Sequence, residues 1–178
     1  MSTQKLPDHN GCKEFLDMVA SRLVNDGLSV QRGIRVDPYT FDTLASRTMT
    51  TTTFMDIKIL WTDIIAVSSV EVRSPDDARG YSSFVAKYAL ENRQPLGARR
   101  NGLSTIAVMV SENFGDDTKQ WVSETSPSFS EMWARTEFPV LVELSSRQIT
   151  YYRKTPFRKY GLYQNLQKLS DKWFGFQV

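Results

Sequence analysis

Two acids and a lysine stand at a spacing suited to metal-dependent phosphate chemistry. Asp42 is followed, after thirteen intervening residues, by the triplet Asp56-Ile57-Lys58. Residues two apart on a β-strand point to the same side, so a strand here sets Asp56 and Lys58 on one face. If the strand of Asp42 pairs alongside, the carboxylates of Asp42 and Asp56 converge. Two carboxylates can hold Mg²⁺, which keeps several of its waters. The metal acidifies a bound water, and Lys58 then orients that nucleophile toward a phosphate. The competing reading is structural: Asp56 and Lys58 lie on the wetter face of an antiparallel strand and pair across the ladder, each pair worth a few tenths to about 1 kcal/mol.

The acid followed by acid-x-lysine resembles the core motif of the restriction-endonuclease-like nucleases, the PD-(D/E)XK superfamily. The resemblance implies a Mg²⁺-dependent nuclease, active or degenerate, with Asp42, Asp56 and Lys58 as catalytic residues and Asp42 and Asp56 as metal ligands. It also implies a helix ahead of Asp42, which Glu14–Asn25 supplies, and a helix directly after the strand of the triplet. Here Ile64–Arg73 reads as a further strand in between. Glu71-Val72-Arg73 offers a second version of the triplet, with Asp56 as the first acid and Arg73 in place of lysine.

A second constellation lies near the C-terminus. Tyr151-Tyr-Arg-Lys-Thr-Pro-Phe-Arg-Lys-Tyr160 interleaves aromatic and basic residues. Cations that meet phosphates and rings that stack on bases together bind single-stranded nucleic acid. The candidate binding residues are Tyr151, Tyr152, Arg153, Lys154, Arg158 and Lys159, with Arg99 and Arg100 from the Gln94–Gly102 loop. The competing reading sends alternate tyrosines into the core and leaves the cations solvated.

Other chemistries lack their residues. The chain has one histidine, His9, and one cysteine, Cys12, both within the first dozen positions. A Ser-His-Asp or Cys-His arrangement needs a histidine base on a rigid scaffold, and a zinc site needs more Cys and His than two. Cys12 reads as a small apolar residue on a helix face. Neither a phosphate-binding G-x-x-x-x-G-K-[ST] loop nor a G-x-G-x-x-G turn occurs.

With 178 residues, 22 basic against 20 acidic side chains and a net charge of +2, the composition is that of an ordinary globular domain. A nucleic-acid binder that relied on bulk charge would be more basic. No stretch approaches the roughly 20 apolar residues of a membrane span, and the N-terminus lacks the apolar core of a signal peptide. The expected compartment is the cytoplasm.

The elements that must position these residues follow from periodicity. Cys12, Phe15, Leu16, Val19 and Leu23 recur at helical spacing up to about Asn25, capped by Asp8 or Asn10 and stopped by Gly27. Leu28–Val36, Phe41–Arg47, Thr51–Trp61 and Ile64–Arg73 read as strands, with turns at Asp37-Pro38 and Thr62-Asp63. Ser74-Pro75-Asp76-Asp77 opens a helix to about Asn92, with a cap, a proline at the first position and acids at the positive end. Leu103–Val110 is apolar on both faces, hence a central strand. A short helix at Asp116–Glu124, an irregular stretch at Ser126–Arg135, a hairpin of Phe138–Leu144 with Gln148–Arg153 around Ser145-Ser146, and a last helix at Tyr160–Phe174 complete the chain.

This order predicts an α+β fold: a mixed or antiparallel sheet of about six to seven strands with three main helices packed on it. Residues 1–10 form an arm and 11–178 a single domain. The expected function is a non-enzymatic interaction or regulatory module without a cofactor, meeting a protein partner or itself, with nucleic acid second and no membrane. The alternatives are the Mg²⁺-dependent nuclease and the single-stranded nucleic-acid binder.

Overall fold

A computed structural model describes residues 9–52, 58–92, 101–125, 129–130, 135–154 and 160–176. Among these residues four helices and seven strands follow the order α1 (His9–Asn25), β1 (Ser29–Val36), β2 (Tyr39–Thr52), β3 (Lys58–Ser69), α2 (Pro75–Asn92), β4 (Asn101–Ser111), α3 (Asp116–Glu124), β5 (Phe129–Ser130), β6 (Arg135–Glu143), β7 (Gln148–Tyr151) and α4 (Tyr160–Phe174). The fold is α+β with a mixed sheet. His9 and Asn10, expected in the arm, are helical, so Asn10 does not cap α1. Asp8 and the stretch around Met132-Trp133 lie outside the described residues.

The sheet runs β1-β2-β3-β4-β6-β5, and β7 also pairs with β6. β1, β2 and β3 form an antiparallel meander, while β3, β4 and β6 are parallel. The two crossovers of the parallel part carry α2 and α3. Crossovers of one hand that step the same way across a sheet put their helices on the same face. Accordingly Tyr81 and Val85 of α2 and Val122 of α3 pack on Ala66, Ala107, Met109 and Leu141. Their strand neighbours Ile65, Val67, Ile106, Val108, Val140 and Val142 point the other way, against Phe15, Val19 and Leu23 of α1 and Leu166 and Trp173 of α4. That two-sided burial is why Leu103–Val110 reads as continuously apolar.

Two strand boundaries differ from expectation. Phe41–Arg47 and the start of Thr51–Trp61 belong to one long strand, β2. The Thr62-Asp63 pair is no turn but lies inside β3. The polar pair misleads because its partners are tertiary. Thr62 and Thr48 face one another across the ladder, hydroxyl to hydroxyl at 3.2 Å. Asp63, only 5% exposed, accepts hydrogen bonds from Arg47 Nε at 2.9 Å and Trp61 Nε1 at 3.0 Å. Four anticipated strands thus become three, and β3 is followed by α2 with no strand between them.

The helix ends obey local rules. Gly27 adopts φ +80° after α1, the left-handed conformation that glycine takes without penalty. At the start of α2, Ser74 Oγ accepts from Asp77 N–H at 3.3 Å, and Asp77 Oδ2 accepts from Ser74 N–H at 3.1 Å. The capping is reciprocal, and the Arg73 amide, donating to Asp77 Oδ2 at 2.9 Å, together with Ser74 holds the Asp77 carboxyl below its ordinary value. Where α1 meets α4, Asp26 accepts from Lys172 Nζ at 2.5 Å and Trp173 Nε1 at 2.6 Å, which hold its carboxyl low as well. Among the described residues no helix is long and apolar enough to cross a membrane.

Candidate functional site

Asp42 sits where two strands change face. In β1, Val30 packs with the α1 and α4 cluster, yet Ile34 and Val36 pack with the α2 cluster. Strict alternation would put all three on one side. Gly33 lies between them at φ +63° and breaks the alternation. β2 reverses opposite it: Ala45 packs toward α1, whereas Phe41 packs toward α2. Asp42 falls inside this double reversal.

A depression of about 450 Å³ opens there between α1 and the sheet. Cys12, Lys13 and Leu16 of α1, Arg32 and Gly33 of β1, Asp42 of β2 and Ser69 at the end of β3 line it. The Ser69 amide donates to Asp42 Oδ2 at 2.6 Å. The paired register of β2 with β3 stops at Thr43 opposite Val67. The Asp42 carboxylate therefore takes the place of a main-chain acceptor and ties the end of β3. Arg32 Nη2 meets Asp17 Oδ1 at 2.6 Å, an exposed pair with side chains 48% and 51% accessible, worth little. Cys12 packs against the core as expected and also forms part of the depression's lip.

The other nuclease candidates are elsewhere. Lys58 starts β3 opposite Thr52, nine residues from Val67, which at the rise of an extended strand is roughly 30 Å. The ladder register thus keeps Lys58 and Asp42 at opposite ends of β3. Asp56 lies outside the described residues. Glu71 and Arg73 follow Ser69 closely but bond each other, Arg73 Nε to Glu71 Oε1 at 2.9 Å and Nη2 to Oε2 at 2.8 Å. Among the described residues no three His, Cys, Asp or Glu side chains gather as a metal site.

Comparison with family models, with curated proteins and with solved structures finds no match to this chain.

The aromatic members of the C-terminal constellation are core residues. Tyr151 is 1% and Tyr152 7% exposed, so neither ring is offered to a base. Tyr151 OH donates to Asp171 Oδ1 at 2.6 Å, and burial together with this acid pushes its pKa well above the ordinary phenol value. Arg153 covers the Tyr151 ring with its guanidinium carbon 4.5 Å from the centroid, while Arg153 and Lys154 are exposed. Arg99, Arg100, Arg158 and Lys159 lie outside the described residues.

What sequence reasoning missed is the open edge beside the depression. Among the described residues β1 pairs only with β2, so no described strand covers its outer side. Arg32 and Arg35 are exposed along it. The alternation of Leu28–Val36 signals a strand, but an edge position depends on the order of the whole sheet.

Proposed function

We propose that this protein is a non-enzymatic interaction module that receives an extended segment of a partner protein along β1. The observation that carries the reading is that, among the described residues, this eight-residue strand is paired on one side alone. An added strand gains affinity from main-chain hydrogen bonds and specificity from alternate side chains. A second copy is the poorer occupant. Antiparallel pairing of β1 with itself would crowd Arg32 and Arg35 of both copies along one short ladder, and like charges opposite one another destabilise a sheet. The acid of the depression supports the same reading, since the Asp42 carboxylate is taken up by the Ser69 amide. The single free thiol, Cys12, fits a reducing, cytoplasmic setting.

The test places a photo-crosslinking amino acid at position 35 of β1 and, as a control, at position 87 on the exposed side of α2. The reading expects discrete partner adducts from position 35 alone. Identical adduct patterns from both positions would refute it.

A nuclease is the second reading, favoured by one observation: β3 leads straight into α2, as that resemblance implies, with Asp42 fixed at its end. Incubation with DNA and RNA in Mg²⁺ or Mn²⁺ separates the two. The interaction module leaves the substrates intact. Metal-dependent cleavage that disappears in Asp42→Asn, whose side-chain oxygen still accepts the Ser69 amide, would establish the nuclease.

A further inference from the structure

On the other side of α1 a second cavity, of about 360 Å³, has an apolar floor and a charged rim. Phe15 and Met18 of α1 and Phe176 beyond α4 contribute the floor. Glu14, Glu112 and Arg147 stand on the rim. The floor is firm, because the Phe15 and Phe176 rings lie 5.3 Å apart.

The rim is built by the ends of the parallel strands. Leu144 N–H donates to Ser111 O at 2.9 Å and Ser145 N–H to Glu112 O at 3.2 Å, locking the β6–β7 turn to the end of β4. Ser145 Oγ reaches Asn113 Oδ1 at 2.6 Å. The Ser146 hydroxyl bonds the buried Glu143 carboxylate, which Lys119 and the Phe114 amide also hold. This bracing keeps Arg147 at φ 53°, a conformation that side chains other than glycine adopt at a cost. Its guanidinium carbon sits 5.7 Å from the Phe176 centroid. Among the described residues, none of Glu14, Glu112 and Arg147 is in an ion pair.

We infer that this cavity binds a small zwitterion with an apolar body, an α-amino acid with a hydrophobic side chain. Two carboxylates on the rim suit an ammonium group. The guanidinium suits a carboxylate, with fork geometry available for two hydrogen bonds. The rings and Met18 suit the side chain. A purely anionic ligand would meet two acids for one cation, and a purely cationic one would meet Arg147. The volume is that of a small-molecule pocket. The proposal stands independently of the β1 edge.

Calorimetric titration of the full chain with L-leucine, L-methionine and L-phenylalanine tests it, beside the N-acetyl and amide derivatives of phenylalanine. The free amino acids are expected to give saturable binding. Each derivative, and each of the variants Arg147→Gly and Glu112→Gln, is expected to weaken it roughly tenfold or more, as for loss of a charged hydrogen bond. Glycine at 147 accepts the left-handed backbone, and circular dichroism verifies that both variants fold. No saturable heat with any of the three amino acids overturns the proposal. So does equal binding of the derivatives, or of both folded variants.

Discussion

Trp61 and Gly102 are direct partners across the β3–β4 ladder, and the six-membered ring of the indole occupies the space where a side chain at 102 would begin. A Cβ built on Gly102 would lie 2.0 Å from Trp61 Cε3. The ring is not free to retreat, since its Nε1 donates to Ser104 Oγ at 2.8 Å and to Asp63 Oδ1 at 3.0 Å. Gly102→Ala should therefore destabilise the protein by about 1–3 kcal/mol, the usual cost of overpacking, although alanine is ordinarily the better residue within a strand. Urea unfolding measures it, and an unchanged midpoint would contradict the contact.

Glu143 makes stability depend on acid pH. Its side chain is 8% exposed. Burial alone would raise its pKa, but Lys119 at 2.7 Å, the Ser146 hydroxyl and the Phe114 amide at 3.0 Å outweigh that and bring it below 4.5. A carboxylate with a depressed folded pKa contributes stability above its unfolded value and loses it as pH falls through the folded one. Glu143→Gln should cost about 1–3 kcal/mol at pH 7, mainly by leaving Lys119 unpaired. The gap between wild type and variant should close as pH drops below about 4.5. A gap constant from pH 7 to 3 would show that charge is irrelevant there.

Asp42 separates hydrogen bonding from charge. Asp42→Ala leaves the Ser69 amide without its acceptor and should cost about 1–2 kcal/mol, whereas Asp42→Asn keeps an acceptor oxygen and should cost less. Thermal or urea unfolding of the two variants side by side checks the order. Asparagine as damaging as alanine would mean that the negative charge itself is what matters.

Gly33 marks the reversal of β1 and should resist substitution. Space for a methyl group exists, since nothing lies within 4 Å of a built Cβ, but φ is +63°. Gly33→Ala should lose about 1–2 kcal/mol from the left-handed backbone alone. Gly11, equally uncrowded but inside α1, serves as the control, and its alanine variant should be stabilising by up to about 1 kcal/mol.

Tyr81 tests a buried polar pair. Its hydroxyl donates to Ser68 Oγ at 2.7 Å, and both residues are buried beneath α2. Tyr81→Phe strands the serine hydroxyl and should cost about 1–2 kcal/mol. The double variant Tyr81→Phe with Ser68→Ala should recover part of that loss, because neither polar group is then left alone. A strictly additive double variant would deny the coupling.

Much of the architecture was legible in local signals. The helical spacing of Cys12 to Leu23, the Ser74-Pro75 start, the apolar run of Leu103–Val110 and the turn at Ser145-Ser146 each specify an element through nearest neighbours and a few residues on either side. Those elements form as read, and with them the α+β class and the central place of β4. The tyrosines at 151 and 152 carried both a core and a surface reading. Only the packing of α4 on the sheet puts them inside.

Register and strand order belonged to the tertiary structure alone. Alternation tells which residues share a face but not which residue of the next strand stands opposite. Asp42 therefore looked like a neighbour of Lys58, while the β2–β3 register sets Lys58 at the far end of β3 and the Asp42 carboxylate meets Ser69. The same holds for Thr62-Asp63, polar enough to suggest a turn until Thr48, Arg47 and Trp61 are placed around it. By itself the sequence determined the pieces and the absence of imidazole and thiol chemistry beyond residue 12. Long-range pairing decided which charges meet, because hydrogen bonds between strands join residues that no local pattern connects.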